Sequence, residues 1–226
     1  MKKSVLIRCC VLAALIFAGM ANAYAGKHHY KILPLGDSIT QGSGKCTSYT
    51  YPLWKDLTKE GYDFEYIGPR TKTYDVGKLN HCGFGGKNVQ FFDKKIDSLY
   101  RVYPGDVVLM HMGHNHFIEE DPVEGMIQAH KSVIDKITAI NPDVYIFVAQ
   151  VIPSGKLPKY FYIPEFNKEL KKLVKSYHSR HIILVNQEKG FDWQTMTVDD
   201  HVHPNELGAD LMAGKWAKAI KRHLKK

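Results

Sequence analysis

The sequence predicts an α/β fold in which helices cover both faces of a mainly parallel sheet of five strands. Short apolar runs alternate along the chain with amphipathic segments of helical length, an alternation typical of parallel sheets. The runs at 106–110 and 144–148 consist almost entirely of apolar residues, as expected of strands that are buried on both faces. Helices on both sides of one sheet make a three-layer α/β/α sandwich.

Glycine and proline residues mark where several of these elements begin and end. Gly61 ends the first helix, Gly68 and Pro69 end the second strand, and Pro122 stands near the start of the third helix. No linker-like stretch divides residues 24–226, which we expect to form a single domain. The predicted strands are 30–35, 64–67, 106–110, 144–148 and 182–185, and the predicted helices are 51–59, 89–100, 122–140, 164–177 and 205–224.

Residues 1–23 have the features of a cleaved secretory signal peptide. Lys2, Lys3 and Arg8 precede the uncharged apolar run 11–20, and Ala21-Asn22-Ala23 then offers a small-residue cleavage site. The alternative is a membrane anchor, but the run is shorter than the roughly 20 apolar residues that span a bilayer. We therefore expect export to the periplasm or the extracellular medium, without a stable membrane anchor.

The charge of the chain suggests a solvated surface. The formal net charge is +8, and removing Lys2, Lys3 and Arg8 with the signal peptide leaves +5. The remaining excess lies mainly on lysine-rich helix faces and in the tail 221–226, where solvent exposure is the ordinary explanation. No nucleic-acid-binding motif is present, so we expect no nucleic-acid partner.

Two cysteines, Cys46 and Cys82, remain in the exported chain. An oxidising destination favours a disulfide between them. The sequence does not show whether their Cα atoms are close enough for a bridge, so two unpaired buried thiols are the alternative. We expect the bridge, because it would join the segments that follow the first strand and precede the glycine-rich stretch 83–86.

A serine and an asparagine follow two of the predicted strands. Ser38, in Gly36-Asp37-Ser38-Ile39-Thr40, follows the first strand, and Asn115 follows the third. Reactive groups in such folds collect at the carboxyl ends of strands, where backbone N–H groups can face a developing anion. Taken singly, each segment could equally be a turn that caps a helix.

A glycine-rich stretch and an aspartate–histidine pair complete the pattern. Gly85 and Gly86 precede a helix and allow a backbone N–H to approach a ligand closely. Asp200 lies three residues before His203, so its carboxylate can accept one ring N–H and leave the other nitrogen as a general base. Each feature is weak alone, but together they indicate an acyl-transfer site.

These segments resemble the SGNH/GDSL hydrolase superfamily, from Ser38 through to His203 and so over nearly the whole exported chain. The resemblance implies a flavodoxin-like α/β/α fold and a catalytic triad of Ser38, Asp200 and His203. It also implies an oxyanion hole formed by the N–H of Ser38, by Gly86, with Gly85 as the alternative, and by Asn115. We expect no cofactor and no metal, and a monomer that acts on a small-molecule or polysaccharide ester.

One subgroup is most similar. The segments 48–54 and 66–68, followed by the glycine-rich stretch, resemble carbohydrate esterase family 3, whose members are acetylxylan-esterase-like. That resemblance implies removal of O-acetyl groups from a sugar polymer. The Gly-Thr-Asn-Asp that is common in the superfamily around the asparagine is replaced by Gly-His-Asn-His at 113–116, which alters the expected pocket wall. The candidate substrate-binding residues are Asp37, His114, His116 and Trp193.

Three other functions compete with this one. A lipase or lysophospholipase would use the same triad on a lipid ester. A zinc-dependent hydrolase is suggested by two histidine clusters, 111–116 and 201–203, since imidazole is a zinc ligand. It leaves the serine, glycine and asparagine segments unexplained. A non-catalytic glycan-binding protein on the same fold would be expected to have lost one of the triad residues.

Overall fold

The computed structural model describes residues 28–226, and the statements that follow refer to that part of the chain. The predicted signal peptide, 1–23, lies outside the described residues. Among the helices of the described part, none is long and apolar enough to cross a membrane.

All five predicted strands form and belong to one sheet. The strands of that sheet are β1 (His29–Gly36), β2 (Asp63–Tyr66), β3 (Arg70–Tyr74), β4 (Gly77–Gly83), β5 (Val107–His111), β6 (Tyr145–Gln150) and β7 (Ile182–Asn186). The five predicted strands are parallel and lie in the order β2–β1–β5–β6–β7. Because β2 lies on one side of β1 and the later strands on the other, the topological switch point lies between β1 and β5. Ligand sites in such sheets lie at the carboxyl ends of the strands beside that point.

The sheet has seven strands, so the prediction of five was wrong in number. The two additional strands, β3 and β4, form an antiparallel hairpin. β4 runs beside the last residues of β1, pairing Leu35 with Cys82 and Gly36 with Gly83, beyond the point where β2 ends. The hairpin brings its own side chains to the edge of the sheet at which Ser38 lies.

Helices cover both faces of the sheet, which confirms the three-layer arrangement. Leu33 and Leu35 of β1 pack on the face covered by the third, fourth and fifth helices, and Ile32 packs on the face covered by the second and seventh. The helices are α1 (Ser38–Gln41), α2 (Thr50–Lys59), α3 (Val89–Val102), α4 (Val123–Ile140), α5 (Ile163–Ser176), α6 (Trp193–Met196) and α7 (Glu206–His223), with a 3₁₀ turn at Ile118–Glu120.

The predicted disulfide does not form, because the two cysteines face different surroundings. Cys46 lies in the loop after α1, with its sulfur 3.3 Å from Ser43 Oγ. Cys82 is fully buried in the core on the side of α3, and both residues are free thiols. Burial raises the pKa of Cys82 to about 12, so it remains an unreactive thiol at neutral pH.

Candidate active site

Ser38 stands at the sharp turn from β1 into α1. The Asp37 side chain caps this short helix, accepting a hydrogen bond of 2.9 Å from the Ile39 N–H. Gly36 allows the turn to sit against β5, because an added Cβ would lie 2.3 Å from the His111 carbonyl oxygen. The local sequence thus places the serine hydroxyl at the carboxyl edge of the sheet, beside the switch point.

His203 reaches the same edge on a short hairpin-like loop. Thr197 bridges to Pro204, and the Val198 N–H donates to the His203 carbonyl oxygen at 2.9 Å. The Pro204 carbonyl oxygen also accepts a hydrogen bond from the Thr47 N–H, in the loop that follows α1. These bonds fix the loop that carries the imidazole against the segment that carries the serine.

Ser38, His203 and Asp200 form one continuous chain of hydrogen bonds. His203 Nε2 lies 2.7 Å from Ser38 Oγ, and His203 Nδ1 lies 2.5 Å from Asp200 Oδ2. Asp200 Oδ1 accepts hydrogen bonds of 2.9 Å from the N–H groups of Val202 and His203. The structure therefore brings together all three residues of the predicted triad.

The environment of Asp200 favours its ionised form. Burial alone would raise the pKa of this carboxyl, but hydrogen bonds from the backbone and ring of His203 and from the Val202 N–H outweigh burial and hold the pKa below its usual range. An ionised Asp200 can keep the proton of His203 on Nδ1, which leaves Nε2 as the acceptor that faces Ser38.

The glycine and asparagine segments are joined to each other beside the serine. The Gly85 N–H donates to Gln41 Oε1 at 2.7 Å, whereas the Gly86 N–H has no hydrogen-bond partner within residues 28–226. Asn115 Nδ2 donates to the Lys87 carbonyl oxygen at 3.1 Å and retains a second N–H. Among the described residues, the Gly85 N–H is therefore occupied, whereas the Gly86 N–H remains free to donate.

A profile of the GDSL-like lipase/acylhydrolase family matches residues 35–211. The chain belongs to this family. The match spans the nucleophile turn, the glycine and asparagine segments and the aspartate–histidine loop. It places the chain among carboxylic-ester hydrolases.

Two sets of relatives agree with the assignment to the GDSL family. A multidomain esterase from Ruminococcus flavefaciens is 24% identical over 229 residues, covering 86% of this chain, which spans only 29% of that protein's length. The structure of a family 3 carbohydrate esterase from Clostridium thermocellum is 25% identical and aligns over 86% of this chain and 96% of its own, with a TM-score of 0.76. A carbohydrate esterase family 3 structure from Talaromyces cellulolyticus is 21% identical over 85% of this chain and 96% of its own, with a TM-score of 0.74, and supports the fold alone.

Three of the four candidate substrate-binding residues of this GDSL-family chain are buried. Asp37 is 0% exposed, His114 2% and His116 5%, so none offers a surface to a substrate, and that prediction was wrong for them. His116 Nδ1 instead lies 3.1 Å from Glu120 Oε2 in the following 3₁₀ turn. The sequence does not show which way a polar side chain beside a catalytic motif points. These three side chains pack beneath the site instead of facing into it.

Asp37 and His114 lie behind the residues that face the substrate. Asp37 Oδ2 lies 4.0 Å from His114 Nδ1, and neither atom has a hydrogen-bond partner within residues 28–226. Asp37 directly precedes Ser38, and His114 directly precedes Asn115, which has a left-handed backbone with φ of 67°. Unsatisfied buried polar groups and left-handed backbone both cost free energy, and such costs cluster at functional sites.

Asp37→Asn is expected to stabilise the fold above pH 6. Burial raises the pKa of Asp37 to about 6, although the hydrogen bond from the Ile39 N–H and the electrostatic effect of His203 lower it. Between about pH 4 and pH 6 the folded state therefore binds a proton that the unfolded chain has already released. Stability therefore falls as pH rises from about 4 to about 6, by up to about 3 kcal/mol in all. Asparagine retains the helix cap without the buried charge.

Thermal unfolding of the wild type and Asp37→Asn at about pH 8 and about pH 4 measures this effect. The variant should unfold at a higher temperature at the alkaline pH, and the difference should vanish at the acid pH. A difference of equal size at both pH values would show that the charge of Asp37 has no part in it.

Trp193, the fourth candidate, is half-buried near the His203 loop. Its ring packs on Gly155, and the ring centroid lies 5.3 Å from that of His201. It lines a small groove of about 170 Å³ together with Leu157 and Phe161, both of which are exposed. A role for Trp193 in contacting sugar remains a prediction.

A larger groove of about 950 Å³ opens beside the triad. Its walls include residues that the sequence did not single out, on the loop after α1 and on the His203 loop. Of these residues, only Gln41 could have been found from the sequence, because a polar side chain at the end of the nucleophile turn can reach the glycine segment. The other groove residues missed from the sequence are Gly42, Ser43, Lys45, Thr197, Val198 and Asn205.

The histidine clusters that suggested zinc do not converge. The rings of His111 and His114 are nearly parallel, with centroids 6.1 Å apart. Within residues 28–226, no three side chains of histidine, cysteine, aspartate or glutamate are placed to hold one metal ion. His203, from the second cluster, points at Ser38 instead.

Proposed function

We propose that this chain is an exported serine esterase that removes O-acetyl groups from a carbohydrate. The observation that carries the proposal is the continuous hydrogen-bond path from Ser38 Oγ through the ring of His203 to Asp200. A hydroxyl is a weak nucleophile until a neighbouring base accepts its proton, and this path supplies both the base and the group that orients it. The signal-peptide features of residues 1–23 support export.

In the proposed reaction, His203 Nε2 accepts the proton of Ser38 as Oγ attacks the ester carbonyl carbon. The tetrahedral intermediate collapses when His203 returns that proton to the leaving sugar oxygen, and the acetyl group remains on Ser38. Water then attacks the acyl-enzyme, with His203 again as base, and acetate leaves. Asp200 stabilises the imidazolium that forms in both halves of the reaction.

The negative charge of each tetrahedral intermediate falls on the former carbonyl oxygen. The backbone N–H groups of Ser38 and Gly86 and the free side-chain N–H of Asn115 are the proposed donors to it. Donors that are fixed before the reaction stabilise this charge more effectively than water, because they need no reorganisation. The hydrogen bond from Asn115 to the Lys87 carbonyl oxygen fixes this side chain by linking the asparagine segment to the glycine segment.

Asn115→Ala is expected to lower kcat by about 10²–10³-fold, with a much smaller effect on KM. The charge that Asn115 stabilises develops only in the transition state, so its loss should fall on the chemical step. Steady-state kinetics on 4-nitrophenyl acetate measure both constants. A change confined to KM would make Asn115 a substrate-binding residue instead.

Two observations favour a carbohydrate substrate over a lipid one. The family 3 carbohydrate esterase from Clostridium thermocellum aligns along nearly its whole length with this chain. The groove beside Ser38 includes the polar side chains of Gln41, Lys45 and Asn205, which can form hydrogen bonds with the hydroxyl groups of a sugar.

A side-by-side assay on acetylated oligosaccharides, 4-nitrophenyl acetate and lysophospholipids tests the choice of substrate. We expect acetate release from the oligosaccharides, with kcat/KM well above the value for lysophospholipid. A higher kcat/KM on lysophospholipid would favour the lipase alternative. Full activity of Ser38→Ala on every ester would remove the serine mechanism itself.

A further inference from the structure

Lys72 places a half-buried ammonium group at the far end of the groove that begins at Ser38. It lies on β3, and its Nζ donates to the Ser43 carbonyl oxygen at 3.2 Å. A Cβ added at Gly42 would lie 2.6 Å from the same Nζ, so the ammonium sits against the loop that directly follows the nucleophile helix. Tyr74 flanks it, with the ring centroid 5.5 Å from Nζ.

No carboxylate of residues 28–226 lies within ion-pair distance of Lys72, unlike Lys136 or Lys221, which pair with Asp93 and Glu60. Desolvation by burial lowers the pKa of Lys72. One carbonyl oxygen satisfies one of three N–H groups, so the ammonium keeps capacity for an anionic ligand.

The cavity around Lys72 is continuous with the catalytic groove. It measures about 350 Å³ and shares five lining residues with the cavity at Ser38: Ser43, Lys45, Cys46, Val198 and Asn205. Its charged lining side chains are Lys45, Lys72 and Glu206, and it therefore carries a net positive charge. Asp199 and Asp200 line the other cavity, at the Ser38 end.

We propose that the Lys72 cavity is a subsite for the carboxylate of an acidic sugar. This inference rests on the proposed function and narrows it, because the substrate becomes an O-acetylated polysaccharide that contains uronic acid. The acetylated sugar lies at Ser38 and a neighbouring sugar places its carboxylate on Lys72. A neutral polymer leaves this ammonium without an anionic partner, so the cavity distinguishes acidic from neutral chains.

The experiment compares acetate release from O-acetylated polygalacturonate with release from the same polymer after its carboxyl groups are reduced to alcohols. The wild type should have a higher kcat/KM on the acidic polymer, and added salt should reduce this preference by screening the contact. Lys72→Met should lower the preference by about tenfold, the effect of losing one hydrogen-bonded charge contact. Lys72→Arg should retain most of it.

Lys78→Met is the matched control. Lys78 lies on the same hairpin, opposite Thr73, and is exposed outside both cavities. Its replacement by methionine therefore removes the same charge without touching the proposed subsite. The control should keep the wild-type preference for the acidic polymer. An equal loss in both variants would reduce the effect to general attraction by net charge and overturn the subsite.

A wild-type enzyme that hydrolyses both polymers with equal kcat/KM would also overturn the subsite while leaving the esterase intact, and this result does not depend on how any variant folds. Failure of the wild type on both polymers and on 4-nitrophenyl acetate would instead overturn the proposed function, and the subsite with it. The two failures are therefore distinguishable.

Discussion

Ser38→Ala is expected to lower kcat for ester hydrolysis by about 10⁶-fold, the scale seen when the nucleophile of a serine triad is removed. The loss follows from geometry, because the imidazole of His203 points at Ser38 Oγ from 2.7 Å. Circular dichroism and thermal unfolding should show an intact fold, since the hydroxyl makes no other hydrogen bond within the described residues.

Ser98→Ala is a suitable control for this variant. Ser98 lies on the exposed surface of α3, where its hydroxyl donates to the Lys95 carbonyl oxygen. It should leave kcat and KM at wild-type values. Wild-type turnover by Ser38→Ala, with the fold intact, would remove the serine from the mechanism.

Asp200→Asn is expected to lower kcat by about 10⁴-fold, because an amide no longer fixes the tautomer and orientation of the His203 ring. Asp199→Asn should have a far smaller effect, since the carboxylate at 2.5 Å from His203 Nδ1 belongs to Asp200. The two variants differ by one position and by no formal charge, so they form a matched pair. A crippled Asp199→Asn beside an active Asp200→Asn would shift the triad by one residue.

The charge of Asp200 should not set the pH dependence of wild-type activity near neutrality. The pKa of Asp200 lies below its usual range, so Asp200 stays ionised to a lower pH than an ordinary aspartate. Protonation of Asp200 should therefore not limit wild-type activity until the pH falls below the range of an ordinary aspartate. If neither aspartate variant affects kcat, His203 acts on Ser38 without a carboxylate.

The parallel part of the sheet could be predicted from sequence because its signals are local and strong. The strands at 107–111 and 145–150 are apolar runs bounded by polar residues, and the helices between them repeat apolar residues with helical spacing. The hairpin of β3 and β4 could not be predicted in this way. Arg70–Tyr74 is polar and largely exposed, and its pairing with β4 is visible only when both strands are in place.

The residues of the candidate site likewise differ in whether the sequence alone could show their roles. Ser38, Asp200 and His203 belong to motifs whose spacing carries the geometry, and the structure brings them together. The orientation of Asp37 and His114 depends on packing between β1 and β5, so the sequence could not show that both point inward. The choice between the two glycines likewise depends on a single contact, from Gln41 Oε1 to the Gly85 N–H.

The central claim, that Ser38 is the nucleophile, is tested most directly by labelling with a fluorophosphonate, which reacts with an activated serine. We expect one adduct per chain, located on Ser38 by peptide mass spectrometry, and residual esterase activity that falls in proportion to labelling. Prior replacement of His203 by alanine should prevent labelling, because the base is then absent. Full esterase activity in a completely labelled protein, or an adduct on a residue other than Ser38, would contradict the account.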